Sequence, residues 1–277
     1  MITAFDNELI RLAEQDERVV IVGADDGRFR SMVTEEIKAR YLNVGIAECN
    51  AIGVAAGLSC CNKIPFVTAG GTFLVHRANE FIRDDVCMQN RNVKIAAIGA
   101  GLAMNALGNT QHMTEDIATL RAIPNLTIMT AATPTEAVLM AKAAYEYEGP
   151  VYIRLGRHEG RDIYQEKEMQ FQIGKGQLVH EGTDISIIST GTILSDILDV
   201  LPELDRNGIH AEVINMHTVK PIDRDMILHA AMHTGKILVV EEHSVTGGLR
   251  GAIAEVLTEE GNVPILRHMG LKDCFAK

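Results

Sequence analysis

The sequence predicts an α/β protein of two domains, each a mainly parallel sheet with helices on both faces. Three observations carry that prediction. Short, continuous apolar runs recur along the chain, as expected of strands buried on both faces. Segments with helical spacing of apolar residues separate them, and such alternation implies crossover connections and parallel strands. The rhythm breaks over 161–181 and then restarts.

Residues 3–16 read as an amphipathic helix, with Phe5, Leu9 and Leu12 on one face. Val19 to Gly23 is a buried strand. It ends in Ala24-Asp25-Asp26-Gly27, a loop where open α/β sheets place ligands. The two acids there either cap the next turn or bind a metal. A small-residue helix follows Glu48, then a strand over Pro65–Thr68 and a helix over 72–89. A third strand covers 93–98 and leads into Gly99-Ala100-Gly101. A polar loop runs from Leu107 to Thr114, and Glu115 to Leu120 starts a helix. The fourth strand is Leu126–Met129. Thr133-Pro134-Thr135-Glu136 is a helix start, with Thr as N-cap, Pro in the first turn and Glu three residues on. The fifth strand is Val151–Leu155. The charged, glycine-containing stretch 161–181 reads as a linker with one edge strand. Beyond it come strands at 185–188, 211–214 and 236–240, with helices from Thr192 to Leu204, Asp223 to His233 and Gly248 to Glu259. The two halves do not read as repeats of each other.

Composition narrows the function classes. The chain has 277 residues, 47% of them hydrophobic, with 4% aromatics and no Trp, which suits tight α/β packing. A net charge of −11 argues against nucleic acid or an anionic membrane as partner. Acids and Arg11 interrupt the N-terminus, so no signal peptide is read there, and no apolar run has the length of a membrane span. The five cysteines are odd in number and lack C-x-x-C spacing, so neither a disulfide framework nor a zinc site is indicated. A cytoplasmic location with reduced thiols is expected. His229 and His233 are four apart on a helix, but with no third ligand nearby they read as surface or helix-end residues.

One stretch stands apart. Asn43-Val44-Gly45-Ile46-Ala47-Glu48 runs into a helix of Ala and Gly, with a single acid in a surface suited to close contact. Such a carboxylate either caps the helix or sits in a dry contact, where it is costly unless hydrogen-bonded or functional. Phe73 likewise reads either as core or as a flat apolar surface able to hold an aromatic ring.

The string N-x-G-I-A-E with its small-residue helix resembles the pyrimidine-domain signature of the transketolase family of thiamine diphosphate enzymes. Four more segments resemble that family in the same order. They are Phe73 with Arg77-Ala78-Asn79-Glu80-Phe81-Ile82-Arg83, Glu115-Asp116-Ile117-Ala118 with Arg121 and Ile123-Pro124-Asn125, Gly149 to Arg157, and Glu241-Glu242-His243 with Gly247-Gly248-Leu249. The resemblance implies a pyrimidine-binding domain over 1–160, a linker over 161–181 and a C-terminal domain over 182–277. It implies that Glu48 is catalytic, hydrogen-bonding the aminopyrimidine ring, and that Ile46, Phe73 and Arg77 complete the cofactor contact. It implies substrate contacts from Arg28, Gln111, His112 and Arg157, with no metal ligand on this chain. The G-D-G motif that accompanies Mg²⁺ and the diphosphate in the family is missing. The chain therefore resembles the C-terminal subunit of a split transketolase, active with an N-terminal, diphosphate-binding partner in a heterotetramer built on a homodimeric core. The implied reaction moves a two-carbon ketol unit from a ketose phosphate to an aldose phosphate.

The substrate loop departs from the family pattern. Leu107 stands where the family has an acid that reads donor hydroxyls, Gln111 where it has His, and Gly99 where a further His is sometimes found. Leu cannot hydrogen-bond a hydroxyl, so a modified sugar phosphate or a sulfo-sugar is expected. Two alternatives stay open: the β subunit of a 2-oxoacid dehydrogenase decarboxylase, and a non-catalytic assembly subunit.

Overall fold

The structure is a computed structural model; it describes residues 1–156, 161–164, 169, 171–261 and 264–275. The first half contains α1 (Ile2–Gln15), β1 (Val19–Gly23), β2 (Tyr41–Asn43), α2 (Glu48–Cys60), β3 (Ile64–Gly70), α3 (Gly71–His76), α4 (Asn79–Phe81), β4 (Lys94–Ile98), α5 (Asp116–Arg121), β5 (Thr127–Thr130), α6 (Pro134–Glu146) and β6 (Val151–Leu155). The second half contains β7 (Gln177–His180), β8 (Ile185–Thr190), α7 (Leu194–Arg206), β9 (Ala211–Asn215), β10 (Thr218–Lys220), α8 (Arg224–His233), β11 (Lys236–Ser244), α9 (Leu249–Glu259) and β12 (Ile265–Leu271).

The strands form two sheets, as the alternation predicts. The first is seven-stranded in the order β10-β5-β6-β4-β3-β1-β2, and the second five-stranded in the order β12-β11-β8-β9-β7. All neighbours pair parallel except β10 with β5 and β7 with β9, each antiparallel at a sheet edge. Because side chains alternate along a strand, Val20 and Val22 face one core and Val19 and Ile21 the other. The Val19 face is covered by α1 and α6 through Phe5, Leu9, Ala137 and Met140. The Val20 face is covered by α2 through Ala51, Ile52 and Ala55, and its core continues into Ile237, Val239, Leu249 and Ile253 of the second half. Among the described residues, no helix is long and apolar enough to cross a membrane.

Side-chain caps set the starts of α6 and α8. Thr133 caps α6 by accepting from the Glu136 N–H at 3.1 Å, as its sequence predicts. Three strands were not read from sequence. β2 and β10 are three residues long, and β12 is an edge strand with mixed polarity, so none presents a continuous apolar run. The helix expected over 72–89 is broken into α3, α4 and a π-helical turn at Ile82–Cys87. The break falls after Arg77, at Ala78, whose ψ of 18° leaves the α-helical region.

The halves are joined by backbone as well as side chains. β10 belongs to the second half by sequence but pairs with β5 of the first. The buried Glu136 accepts from the Ala132 N–H at 2.7 Å and from the Asn215 amide at 2.5 Å; burial pushes its carboxyl up to about 8 against the pull of those donors. His217, just before β10, accepts through its carbonyl from the Thr130 N–H at 3.0 Å. Its ring stacks on Phe171, with centroids 4.5 Å apart. Burial holds the imidazole down at about 4, below its ordinary 6.5. Between those values the unfolded chain binds a proton that the folded chain refuses. The associated stability is therefore full above the ordinary value and lost as pH falls through about 4. The loss attributable to this residue is about 3 kcal/mol. Urea unfolding at about pH 7 and about pH 4.5 should show a smaller pH difference for His217→Phe than for the unmodified chain.

Candidate active site

The C-terminal ends of the parallel strands of the first sheet gather the residues singled out in the sequence. Glu48 is the first residue of α2 and is 1% exposed. Ala47 precedes it as N-cap and offers no side-chain acceptor to the helix start. A carboxylate in the first turn interacts favourably with the helix N-terminus, which offsets part of its burial. Arg77, just beyond α3, supplies the rest: its Nη1 donates to Glu48 Oε2 at 2.7 Å. The Arg77 guanidinium also lies over the Phe73 ring, 4.9 Å from its centroid. Glu48, Phe73 and Arg77 are thus brought together although the first and last are 29 apart in sequence. Ile46 stands two residues before Glu48 with its side chain 74% exposed, in the turn where the Asp25 N–H donates to the Gly45 carbonyl at 2.9 Å.

The loop after β1 supports that turn. The Tyr41 hydroxyl and the Asn43 amide both donate to the Asp26 carbonyl, at 2.5 and 3.0 Å. The Asp26 side chain accepts from Thr68 at 2.6 Å and from Arg28 at 2.8 and 2.9 Å. Arg28 also pairs with Asp6. Its guanidinium is thus neutralised by two carboxylates. Burial, partly offset by Arg28, pushes the Asp6 carboxyl up to about 6.

The substrate loop of the sequence reading packs against α3. His112 is 8% exposed and Gln111 is half-buried beside it, while Leu107 is 57% exposed. A short bridge fixes the loop: Gly101 and Met113 exchange N–H···O bonds of 3.0 and 2.9 Å. Gly101 has a positive φ of 59°, and a Cβ there would collide with the Glu242 carboxylate of the second half. Glu242 in turn accepts from the Leu102 N–H at 2.8 Å. His112 lines an open pocket of about 380 Å³ with His76, Glu115 and the hydroxyls of Thr72, Thr110 and Thr114. Arg157 lies outside the described residues. Among the described residues, no group of three or more His, Cys, Asp or Glu is placed to hold a metal ion.

Sequence reasoning missed three features here. It did not pair Glu48 with Arg77, and it did not single out His76. It also read Asp116 as a helix start and Arg154 as strand interior; they form a fully buried ion pair at 2.8 Å. The signal for that pair was Arg154, a charged residue inside the otherwise apolar strand Val151–Leu155, since buried charges come paired.

Comparison with known proteins agrees with this geometry. Residues 1–162 match the family model described as transketolase, pyrimidine binding domain, and residues 174–276 the model described as transketolase, C-terminal domain. A protein named as a transketolase C-terminal section from Methanocaldococcus jannaschii is 38% identical over 97% of this chain and 85% of its own length. A 6-deoxy-6-sulfo-D-fructose transketolase subunit from Clostridium sp. (strain MSTE9) is 36% identical over 97% of this chain and 84% of its own. A solved structure described as a split gene transketolase, inactive beta4 tetramer, superposes with a TM-score of 0.91 at 37% identity, covering 99% of this chain and 88% of that one. Two adjoining domain matches, near-full-length relatives and a shared fold lead to one conclusion: the chain belongs to the transketolase family.

Proposed function

We propose that this chain is the C-terminal subunit of a two-subunit, thiamine diphosphate-dependent transketolase, moving a two-carbon ketol unit between sugars. The observation that carries this reading is the Glu48 site. Its carboxylate is buried, and one oxygen accepts from Arg77 at 2.7 Å. A buried carboxylate beside the half-buried Phe73 ring fits an aminopyrimidine, whose ring nitrogen needs an acceptor once it carries a proton and whose face needs an apolar platform. Thiamine diphosphate, when bound, supplies the electron sink for breaking a bond next to a ketose carbonyl. The chain's own residues would do the rest. Glu48 accepts the ring N–H and fixes its protonation, Arg77 holds Glu48 in place, and Ile46 with Phe73 walls the ring from water.

The diphosphate and Mg²⁺ are assigned to an N-terminal partner subunit, in a cytoplasmic heterotetramer built on a homodimeric core. The relative solved as an inactive tetramer of one subunit type supports a need for that partner. Substrate contacts are assigned to Gln111 and His112 on the substrate loop, to Arg157, and to the Arg28 N–H groups that Asp6 and Asp26 do not engage. A ketose carrying a phosphate or a sulfonate is the donor class, supported by the sulfo-sugar transketolase subunit among the relatives and by the exposed Leu107 in the place of a hydroxyl-reading acid. The test is co-expression with a diphosphate-domain partner, followed by thiamine diphosphate binding and ketol transfer from a panel of ketose phosphates and sulfo-sugars. Binding and transfer by the pair, with neither by this chain alone, are expected. Transfer by this chain alone would overturn the two-subunit assignment.

A further inference from the structure

The pocket beside α3 contains more chemistry than the substrate loop alone supplies. His76 is the last residue of α3, next to Arg77, and Glu115 is the N-cap of α5 opposite it. His76 Nε2 and Glu115 Oε2 are 3.7 Å apart, and both side chains are partly exposed to the pocket. That distance is too long for a hydrogen bond and leaves both groups able to engage a third. Beside them His112 is nine-tenths buried, and neither of its ring nitrogens has a hydrogen-bond partner among the described residues. An imidazole buried with both nitrogens unpaired is costly, and His112 is part of the pocket wall.

The frame around these groups is rigid. Met113 is bridged to Gly101, and the Thr114 carbonyl accepts from the Ser244 N–H at 2.7 Å. The 112–115 segment is therefore held from both halves of the chain. Among the described residues the lining holds imidazoles, a carboxylate, hydroxyls, the Asn109 amide and the Phe275 ring, but no Lys or Arg. A phosphate or sulfonate entering here would meet the Glu115 charge without a guanidinium or ammonium to offset it. A hydroxyl both donates and accepts, so it can pair with Glu115 and an imidazole together.

We infer that His76, Glu115 and His112 form a hydroxyl-reading subsite that grips the uncharged, hydroxylated stretch of the sugar and takes the place of the acid missing at position 107. This inference rests on the transketolase reading above and names the part of the substrate that the pocket selects. The anionic end of the sugar lies outside this pocket.

The test uses the two-subunit complex with Glu115→Gln and, separately, His76→Asn. Both side chains are over a third exposed, at 44% and 42%, and melting curves check that each variant folds. Two donors are compared. One is the ketose that the unmodified complex uses best among D-xylulose 5-phosphate, D-fructose 6-phosphate and 6-deoxy-6-sulfo-D-fructose. The other is 3-hydroxypyruvate, which has no hydroxylated chain beyond the transferred unit. For each variant, kcat/KM on the ketose should fall about 30-fold further than on 3-hydroxypyruvate, mainly through KM. Equal losses on both donors, or no loss, would overturn the subsite and leave the transketolase reading intact. Turnover of 3-hydroxypyruvate but of no ketose by the unmodified complex would also overturn the subsite. Turnover of neither donor would overturn the transketolase reading, and the subsite with it.

Discussion

Glu48→Gln in the assembled complex is expected to lower ketol transfer by about a thousandfold, the scale of a lost acid–base partner. The amide keeps the shape of the side chain, and its oxygen can still accept from Arg77. It cannot hold the negative charge that fixes a proton on a ring nitrogen. The fold should hold, because the lost ion pair has a partner, Arg77, that is half-exposed, and such pairs contribute about 1 kcal/mol or less. The measurement is steady-state turnover at saturating cofactor beside a melting curve of each complex. Turnover within tenfold of the unmodified complex would remove Glu48 from the chemistry. A large fall in melting temperature would instead make it a structural carboxylate.

Arg154→Met should produce the largest loss of stability, about 3–5 kcal/mol, by leaving a buried charge without its partner. Arg154 on β6 is 2% exposed and reaches three places. It donates to Asp116 at 2.8 Å, to the Met113 carbonyl at 3.1 Å and to the Glu242 carbonyl at 3.0 Å. Tyr152 adds a 2.8 Å bond to the same Asp116 oxygen. One side chain therefore ties β6, the substrate loop, the start of α5 and the end of β11 together. Urea unfolding measures the loss. The double change Arg154→Met with Asp116→Leu should recover most of it, because it removes the orphaned charge. If the single and double variants were equally unstable, the cost would lie in the carbonyls left without donors.

The fold was legible wherever burial on both faces wrote a continuous apolar run, as at Val19–Val22 or Ile95–Ile98. It was illegible where pairing alone makes the strand. Thr218–Lys220 has no pattern of its own and exists because β5 presents an open edge. The helix after Gly71 was overextended because its sequence keeps helical spacing through residue 89, and spacing does not register a break at one backbone angle. At the site, a resemblance pointed to Glu48, Phe73 and Arg77 together. Residue chemistry alone left Glu48 between a cap and a function, since its partner is distant in sequence and reaches it only after β3 and α3 have folded. His76 drew no notice because a lone His on a helix has no meaning until Glu115 and His112 are placed around it.

The exchange of β10 has a consequence for anyone dividing the protein. A cut in the 161–181 stretch would not yield two self-contained pieces. The N-terminal piece would keep β5 as a bare edge, with the unpaired N–H and C=O groups that recruit strands from other molecules. The C-terminal piece would carry a three-residue strand with nothing to pair with. Its apolar side chains Ile237, Val239, Leu249 and Ile253, which share a core with the first sheet, would open to water. Each fragment is therefore expected to be sticky alone and tractable only when the two are produced together, as complementing halves of one folding unit.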